Sequence, residues 1–96
     1  MTYEQKFAAL GALCFAPALH MRKPGDWYVS MLGVERKEGP CLSGGCISEP
    51  TPEAAVDAKW EWAIDPRYYL VINAMRDKRR AVRWNGFMWE DVDEHR

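Results

Sequence analysis

The run Thr51-Pro52-Glu53-Ala54-Ala55-Val56-Asp57-Ala58-Lys59-Trp60-Glu61-Trp62-Ala63-Ile64 carries its own start and stop signals for a helix, and strand-like segments flank it on both sides. The Thr51 hydroxyl can accept a bond from an unpaired amide of the first turn. Pro52 suits that turn because its missing N–H has no partner there in any case, and Glu53 faces the positive end of the helix dipole. Asp65-Pro66 closes the segment, since a residue before proline is pushed out of helical geometry. With a step of about 100° per residue, Val56, Trp60, Ala63 and Ile64 share one face, while Ala54, Ala55, Ala58 and Trp62 form a flatter apolar area beside it. A helix with these two areas suits a position close on a sheet, with a second element covering its flank.

A first helix is expected over residues 2–14. Thr2 and Gln5 match a capping box, and Tyr3, Phe7, Leu10 and Cys14 recur on one face. Gly11 interrupts that pattern, as it would where a neighbouring backbone passes close by. Residues 15–26 read as a connection because they hold two prolines and a Pro-Gly-Asp turn signal. Residues 27–34 read as one strand, with Trp27, Val29 and Met31 alternating onto one face. A turn at 37–40 leads to a shorter strand at 41–48, whose Gly44-Gly45 pair suggests a bulge or irregular edge.

Beyond the central helix, residues 68–75 are apolar on both alternating sets, as in an interior strand covered on both faces. Asn85-Gly86 then signals a tight hairpin between 80–84 and 87–92. A two-residue loop there would set Trp84 opposite Phe87, Val82 opposite Trp89 and Arg80 opposite Asp91, with Arg83–Met88 and Ala81–Glu90 on the other face. Residues 93–96 are expected to fray. The sum is a single α+β domain over 1–96, an antiparallel sheet of four to five strands packed with two helices in the order α-β-β-α-β-β-β.

Ninety-six residues leave room for one core of modest margin. Five Trp, four Tyr and three Phe are a way to fill such a core without disulfides or metal. Most of these rings are assigned to the interior, with an exposed aromatic patch as the alternative for the remainder. A formal net charge of −1 argues against binding nucleic acid by bulk electrostatics. No apolar run approaches the roughly 20 residues that span a bilayer, and the segment 7–19 is broken by Gly11 and Pro17 without a basic leader. No membrane partner and a cytoplasmic location are therefore expected.

Cys14, Cys41 and Cys46 are an odd set, for which reduced thiols are the default. The Cys-x4-Cys spacing falls outside the usual zinc knuckle, and only His20 and His95 are available to complete a site, so no metal and no cofactor are expected. A Cys–His nucleophile built on Cys14 or Cys46 with His20 has nothing but chain proximity behind it. A surface or locally bonded histidine is the commoner arrangement, and no catalytic residue is assigned.

The sharpest local feature is basic. Arg76, Lys78, Arg79, Arg80 and Arg83 place five cations within eight residues at the expected hairpin, beside Trp84 and Phe87. Such a β-finger suits an interface, where Arg and Trp are favoured, or a phosphate backbone with a ring stacking on a base. Its plainer explanation is a solvated, charge-paired hairpin, because Glu90, Asp91, Asp93 and Glu94 return alongside.

Two resemblances attach to these residues. Gly45-Cys46-Ile47-Ser48 followed by Thr51-Pro52-Glu53-Ala54-Ala55, about a tenth of the chain, resembles the strand-to-helix corner of HicB-like antitoxin domains. More broadly, residues 23–30, 51–56 and 80–92 resemble small uncharacterised proteins of tailed bacteriophages and prophages. That likeness implies a compact accessory protein acting in the host bacterial cytoplasm, where binding a host factor is a frequent task and anti-CRISPR proteins are one class. The resulting expectation is a non-enzymatic phage accessory protein that binds a host protein or complex through Arg76, Lys78, Arg79, Arg80, Arg83, Trp84 and Phe87. A nucleic-acid-binding or HicB-like antitoxin module using the same hairpin is the alternative.

Overall fold

The computed structural model describes residues 1–13, 17–37, 48–73 and 80–93. Among these residues, two helices and two antiparallel sheets, one of two strands and one of four, make an α+β fold. Helix α1, Tyr3–Gly11, begins at a full capping box: the Thr2 hydroxyl accepts from the Gln5 amide, and the Gln5 side chain accepts from the Thr2 amide at 2.8 Å. It ends at Gly11, short of the expected residue 14, and turns Leu10 fully into the core. The neighbour at Gly11 is the ring of Pro17, 3.4 Å from where a Cβ would stand, rather than a passing backbone.

The expected connection at 15–26 is in large part a hairpin. Strands β1, Ala18–Lys23, and β2, Asp26–Ser30, pair antiparallel through a turn at Pro24-Gly25, where Gly25 has φ +80°. The two prolines bracket the strand instead of breaking it. Pro17 precedes its first residue and Pro24 lies in the turn, and neither place requires an amide donor.

The expected single strand at 27–34 is also divided. The chain leaves the first sheet after Ser30, bends at Leu32-Gly33 with Gly33 at φ +81°, and enters the second sheet as β3, Val34–Lys37. Trp27, Val29 and Met31 still face inward as their alternation requires, Val29 and Met31 being buried and Trp27 packed partly against the core. The strand expected at 41–48 lies outside the described residues except for Ser48. Next to it, Glu49 exchanges backbone hydrogen bonds of 2.8 Å with Trp27.

Helix α2, Pro52–Ile64, forms as its caps dictate, with the Thr51 hydroxyl accepting from the Ala54 amide at 3.1 Å. It buries Ala55, Val56, Trp60 and Ala63 against β2, β4, β5 and α1, and with them Lys59. The larger sheet runs β3-β4-β5-β6, with β4 Tyr69–Ile72, β5 Arg80–Trp84 and β6 Trp89–Asp91. As expected for an interior strand, Leu70, Val71 and Ile72 are all buried. Leu70 and Ile72 join the core with α2, while Val71 and its partner Ala81 are buried on the opposite face.

The last hairpin has a different register from the one a two-residue loop would give. Trp84 pairs with Trp89, Arg83 with Glu90 and Val82 with Asp91, a slip of two residues. The cause is Asn85, whose Oδ1 accepts from the amides of both Phe87 and Met88 at 2.9 Å while its own amide donates to the Met88 carbonyl at 3.1 Å. That side-chain turn widens the loop to Asn85–Met88. A slip of two preserves every residue's face, so Trp84 and Trp89 both point at α2 and meet Trp60. Ring centroids in this trio are 4.9, 5.1 and 6.0 Å apart, and all three contacts are edge-on.

Candidate functional site

The hairpin tip is the most unusual part of the described surface. Phe87 is 91% exposed and Met88 60% exposed. Exposed apolar side chains are ordinary on floppy loops, but this loop is braced. Besides the three Asn85 bonds above, Asn85 Nδ2 donates to Glu90 at 3.2 Å, and the tryptophan trio anchors the hairpin base. Rigid backbone beneath an exposed aromatic lowers the entropy lost when that ring is buried by a partner.

Of the residues expected to form a basic grip, Arg76, Lys78 and Arg79 lie outside the described residues. Arg80 stands at the start of β5, seven residues before Phe87, and its Nε is bound to Asp91 at 2.7 Å. Trp84 is part of the tryptophan trio and packs against the core. Arg83 lies on the opposite strand face from Trp84 and donates from Nε to the Tyr68 carbonyl at 3.4 Å. Phe87 therefore projects apart from Arg80, and the aromatic that would have faced it, Trp84, faces Trp89 instead.

A second constellation escaped the sequence reading. Arg36 of β3 lies over two rings, with its guanidinium carbon 4.3 Å from the Tyr68 centroid and 5.4 Å from that of Trp62. Arg67 also approaches Tyr68, at 5.2 Å, and the buried Lys59 ammonium is 3.8 Å from the Trp62 centroid, one helical turn earlier. The result is a ladder in which cations and rings alternate, Lys59, Trp62, Arg36, Tyr68, Arg67. Each contact draws a cation to the negative face of a ring. Arg36 also donates to the Trp62 carbonyl at 3.3 Å, satisfying the end of α2 and its negative dipole.

Asp65, the residue that stops α2, holds the ladder's outer end. Both its oxygens accept from the Arg67 side chain and Oδ1 also accepts the Arg67 amide. Those bonds, helped by Arg67 and Arg36 charge, hold the Asp65 carboxyl down at about 2, against an ordinary 3.8. The same pair raises the Arg67 guanidinium above its usual value. No alternation marks β3 in the sequence, where Val34 is followed by three charged residues, Glu35, Arg36 and Lys37. It is readable as a strand only once Gly33 is recognised as a bend rather than the tail of the preceding strand.

On the β1–β2 hairpin, His20 stacks on Tyr28 at 4.8 Å and its Nε2 lies 2.8 Å from Ser30 Oγ. Arg22 covers Tyr28 at 4.8 Å and bonds Asp26 and Ser48. The hydrogen bond from Ser48, then the Arg22 charge and bond, keep the Asp26 carboxyl below its ordinary range. His20 is thus the locally bonded histidine that its sequence position suggested, while Cys14, Cys41, Cys46 and His95 lie outside the described residues.

No family model aligns with this chain, and neither a curated protein nor a solved structure is similar. Among the described residues no group of His, Cys, Asp and Glu is placed to hold a metal ion, and no helix is long and apolar enough to cross a membrane.

Proposed function

We propose that this chain is a non-catalytic binding protein that docks a protein partner through the tip of its last hairpin. The observation behind this reading is Phe87: an aromatic ring almost wholly in solvent, on a loop whose backbone is fixed by its own Asn85 and whose stem is locked by three tryptophans. Burying such a ring in a partner recovers about 2 kcal/mol from removal of apolar surface alone, and central aromatic anchors dominate interface energies. Met88 adds a second, adaptable apolar contact beside it. The likeness of residues 23–30, 51–56 and 80–92 to small phage and prophage proteins makes a host bacterial protein, such as a component of a defence complex, the first partner to seek.

The experiment is affinity capture from bacterial lysate with the full chain, repeated with Phe87→Ser. A partner retained by the parent protein and lost by the variant supports the reading. A partner held equally by both overturns it.

A further inference from the structure

Among the described residues, β1 has β2 on one side and no strand on the other. Which of its backbone groups face that open side follows from the far side of β2. There Trp27 exchanges both of its backbone bonds with Glu49 at 2.8 Å, so its N–H and C=O point away from β1. Met21, opposite Trp27 on β1, therefore sits in a non-hydrogen-bonded pair. Alternation along the register makes His20–Tyr28 a bonded pair and Leu19–Val29 another non-bonded one. The amides and carbonyls of Leu19 and Met21 consequently point outward, away from β2.

The end strands of the larger sheet are defended against pairing with another chain, by short length and by charge. β6 has three residues, two of them Glu90 and Asp91, and β3 is charged at every position after Val34. β1 is different. It has six residues, and its cations, Arg22 and Lys23, stand together at one end. Arg22 is also held on its own chain by Asp26 and Ser48. Side chains point the same way as the backbone. Residues opposite one another share a face, so Leu19 and Met21 lie with Val29 and Trp27 on the side toward α2. Leu19 is partly buried against the core, whereas Met21, at the outer margin of this apolar row, is 52% exposed.

We infer that β1 pairs antiparallel with β1 of a second copy of this chain, Leu19 of each copy opposite Met21 of the other, joining the two small sheets into one of order β2-β1-β1-β2. Each of these pairs then exchanges both backbone bonds, because both residues present N–H and C=O outward. His20 stands at the two-fold axis. On the α2 side the row of Trp27 and Met21 is continued by Leu19 and Val29 of the second copy, which covers the exposed Met21. Arg22 falls opposite Ala18, and Lys23 opposite Pro17, so no cation meets its counterpart. A second copy is favoured over a foreign strand because β1 complements itself in length, apolar pairing and charge, as an isologous interface requires. This surface is separate from the Phe87 tip, which belongs to the other sheet, and does not depend on it.

Met21→Pro is the decisive variant. The Met21 N–H faces away from β2, so proline there removes no bond within the chain but deletes a donor from each pair between copies. Sedimentation of the full chain from micromolar to near-millimolar concentration is expected to show a monomer–dimer equilibrium, since an interface built on one strand edge is small. Met21→Pro is expected to weaken it more than tenfold with an unchanged circular dichroism spectrum, and Phe87→Ser to leave it intact. Amide exchange at Leu19 and Met21 should slow as the parent is concentrated. A chain that stays monomeric throughout, a dimer indifferent to Met21→Pro, or a dimer whose formation leaves exchange at both amides unchanged overturns the inference. So does a foreign protein captured by a monomeric parent and released by Met21→Pro, which would give the edge a different occupant. Met21→Lys leaves the backbone intact and sets an ammonium against Leu19 of the second copy, so it keeps the test decisive if the proline variant loses the fold.

Discussion

The indole N–H of Trp89 donates to the carbonyl of Ala9 across 2.9 Å, joining β6 to the last turn of α1 over a separation of 80 residues. The Ala9 carbonyl is one of the four at that helix end with no partner inside the helix, so the tryptophan acts as a cap supplied from the other end of the chain. Its ring meanwhile packs edge-on against Trp60 and Trp84. Trp89→Phe keeps a ring in place but leaves the carbonyl without its donor. A loss of about 1–3 kcal/mol in unfolding free energy is expected, with Trp89→Ala costing more, about 3–5 kcal/mol. Urea denaturation followed by circular dichroism measures both; equal stability of Trp89→Phe and the parent would show that the bond contributes nothing.

The Asp65–Arg67 clasp gives an acid-side signature. Because the folded Asp65 carboxyl is held at about 2, below its ordinary 3.8, the native state binds its proton less readily than the unfolded chain. The stability it contributes is therefore complete above the unfolded value and lost as pH falls through the folded one. Against Asp65→Asn, the parent is expected to have the higher melting temperature at neutral pH. That advantage should be constant down to about pH 4 and close to zero near pH 2. Paired thermal melts across that range check this, and a difference that persists unchanged at pH 2 would contradict it.

Gly86 sits at φ +105°, with nothing within 4 Å of where a Cβ would stand. Gly86→Ala therefore meets no clash and pays only for the backbone conformation, about 1–2 kcal/mol. Asn85→Ala removes the acceptor of two loop amides instead and is expected to cost a similar amount, about 1–2 kcal/mol. It should also speed amide exchange at Phe87 and Met88, which Gly86→Ala should affect less. Hydrogen-exchange mass spectrometry over the loop separates the two; unchanged exchange in Asn85→Ala would mean the loop is not held by that side chain.

Local signals were legible where a few adjacent residues decide the outcome. Thr51, Pro52 and Asp65-Pro66 specify α2 without help from the remainder of the chain, and Thr2 with Gln5 does the same for the start of α1. The apolar run at 68–75 announced a strand buried on both faces, which forms over Tyr69–Ile72. Legibility failed where a residue's meaning depends on its exact place in an element. Pro17 and Pro24 read as breakers yet flank a strand, and Gly33 reads as the interior of a strand yet turns the chain from one sheet into another. Asn85-Gly86 correctly announced the hairpin but not its register, because the Asn85 side chain competes with the backbone for the loop amides. The cation ladder was out of reach for a different reason. Its members come from β3, α2 and the loop after it, and only the bend at Gly33 places Arg36 beside Tyr68 and Trp62.

Phe87 offers the cleanest separation of folding from function. At 91% exposure its ring contributes almost nothing to the native core, so replacing it removes little that the fold depends on. Phe87→Ser is expected to change unfolding free energy by no more than about 0.5 kcal/mol, and slightly to raise solubility by shrinking the apolar patch it shares with Met88. Trp84→Ser, three residues earlier on the same hairpin, removes a ring held between Trp60 and Trp89 and is expected to cost about 3 kcal/mol or more. The contrast is diagnostic because both are aromatic residues of one hairpin, and only their burial differs. Chemical denaturation of the two variants side by side checks it. A large stability loss in Phe87→Ser would mean that the ring packs against the protein itself, and the exposed anchor on which partner docking depends would not exist.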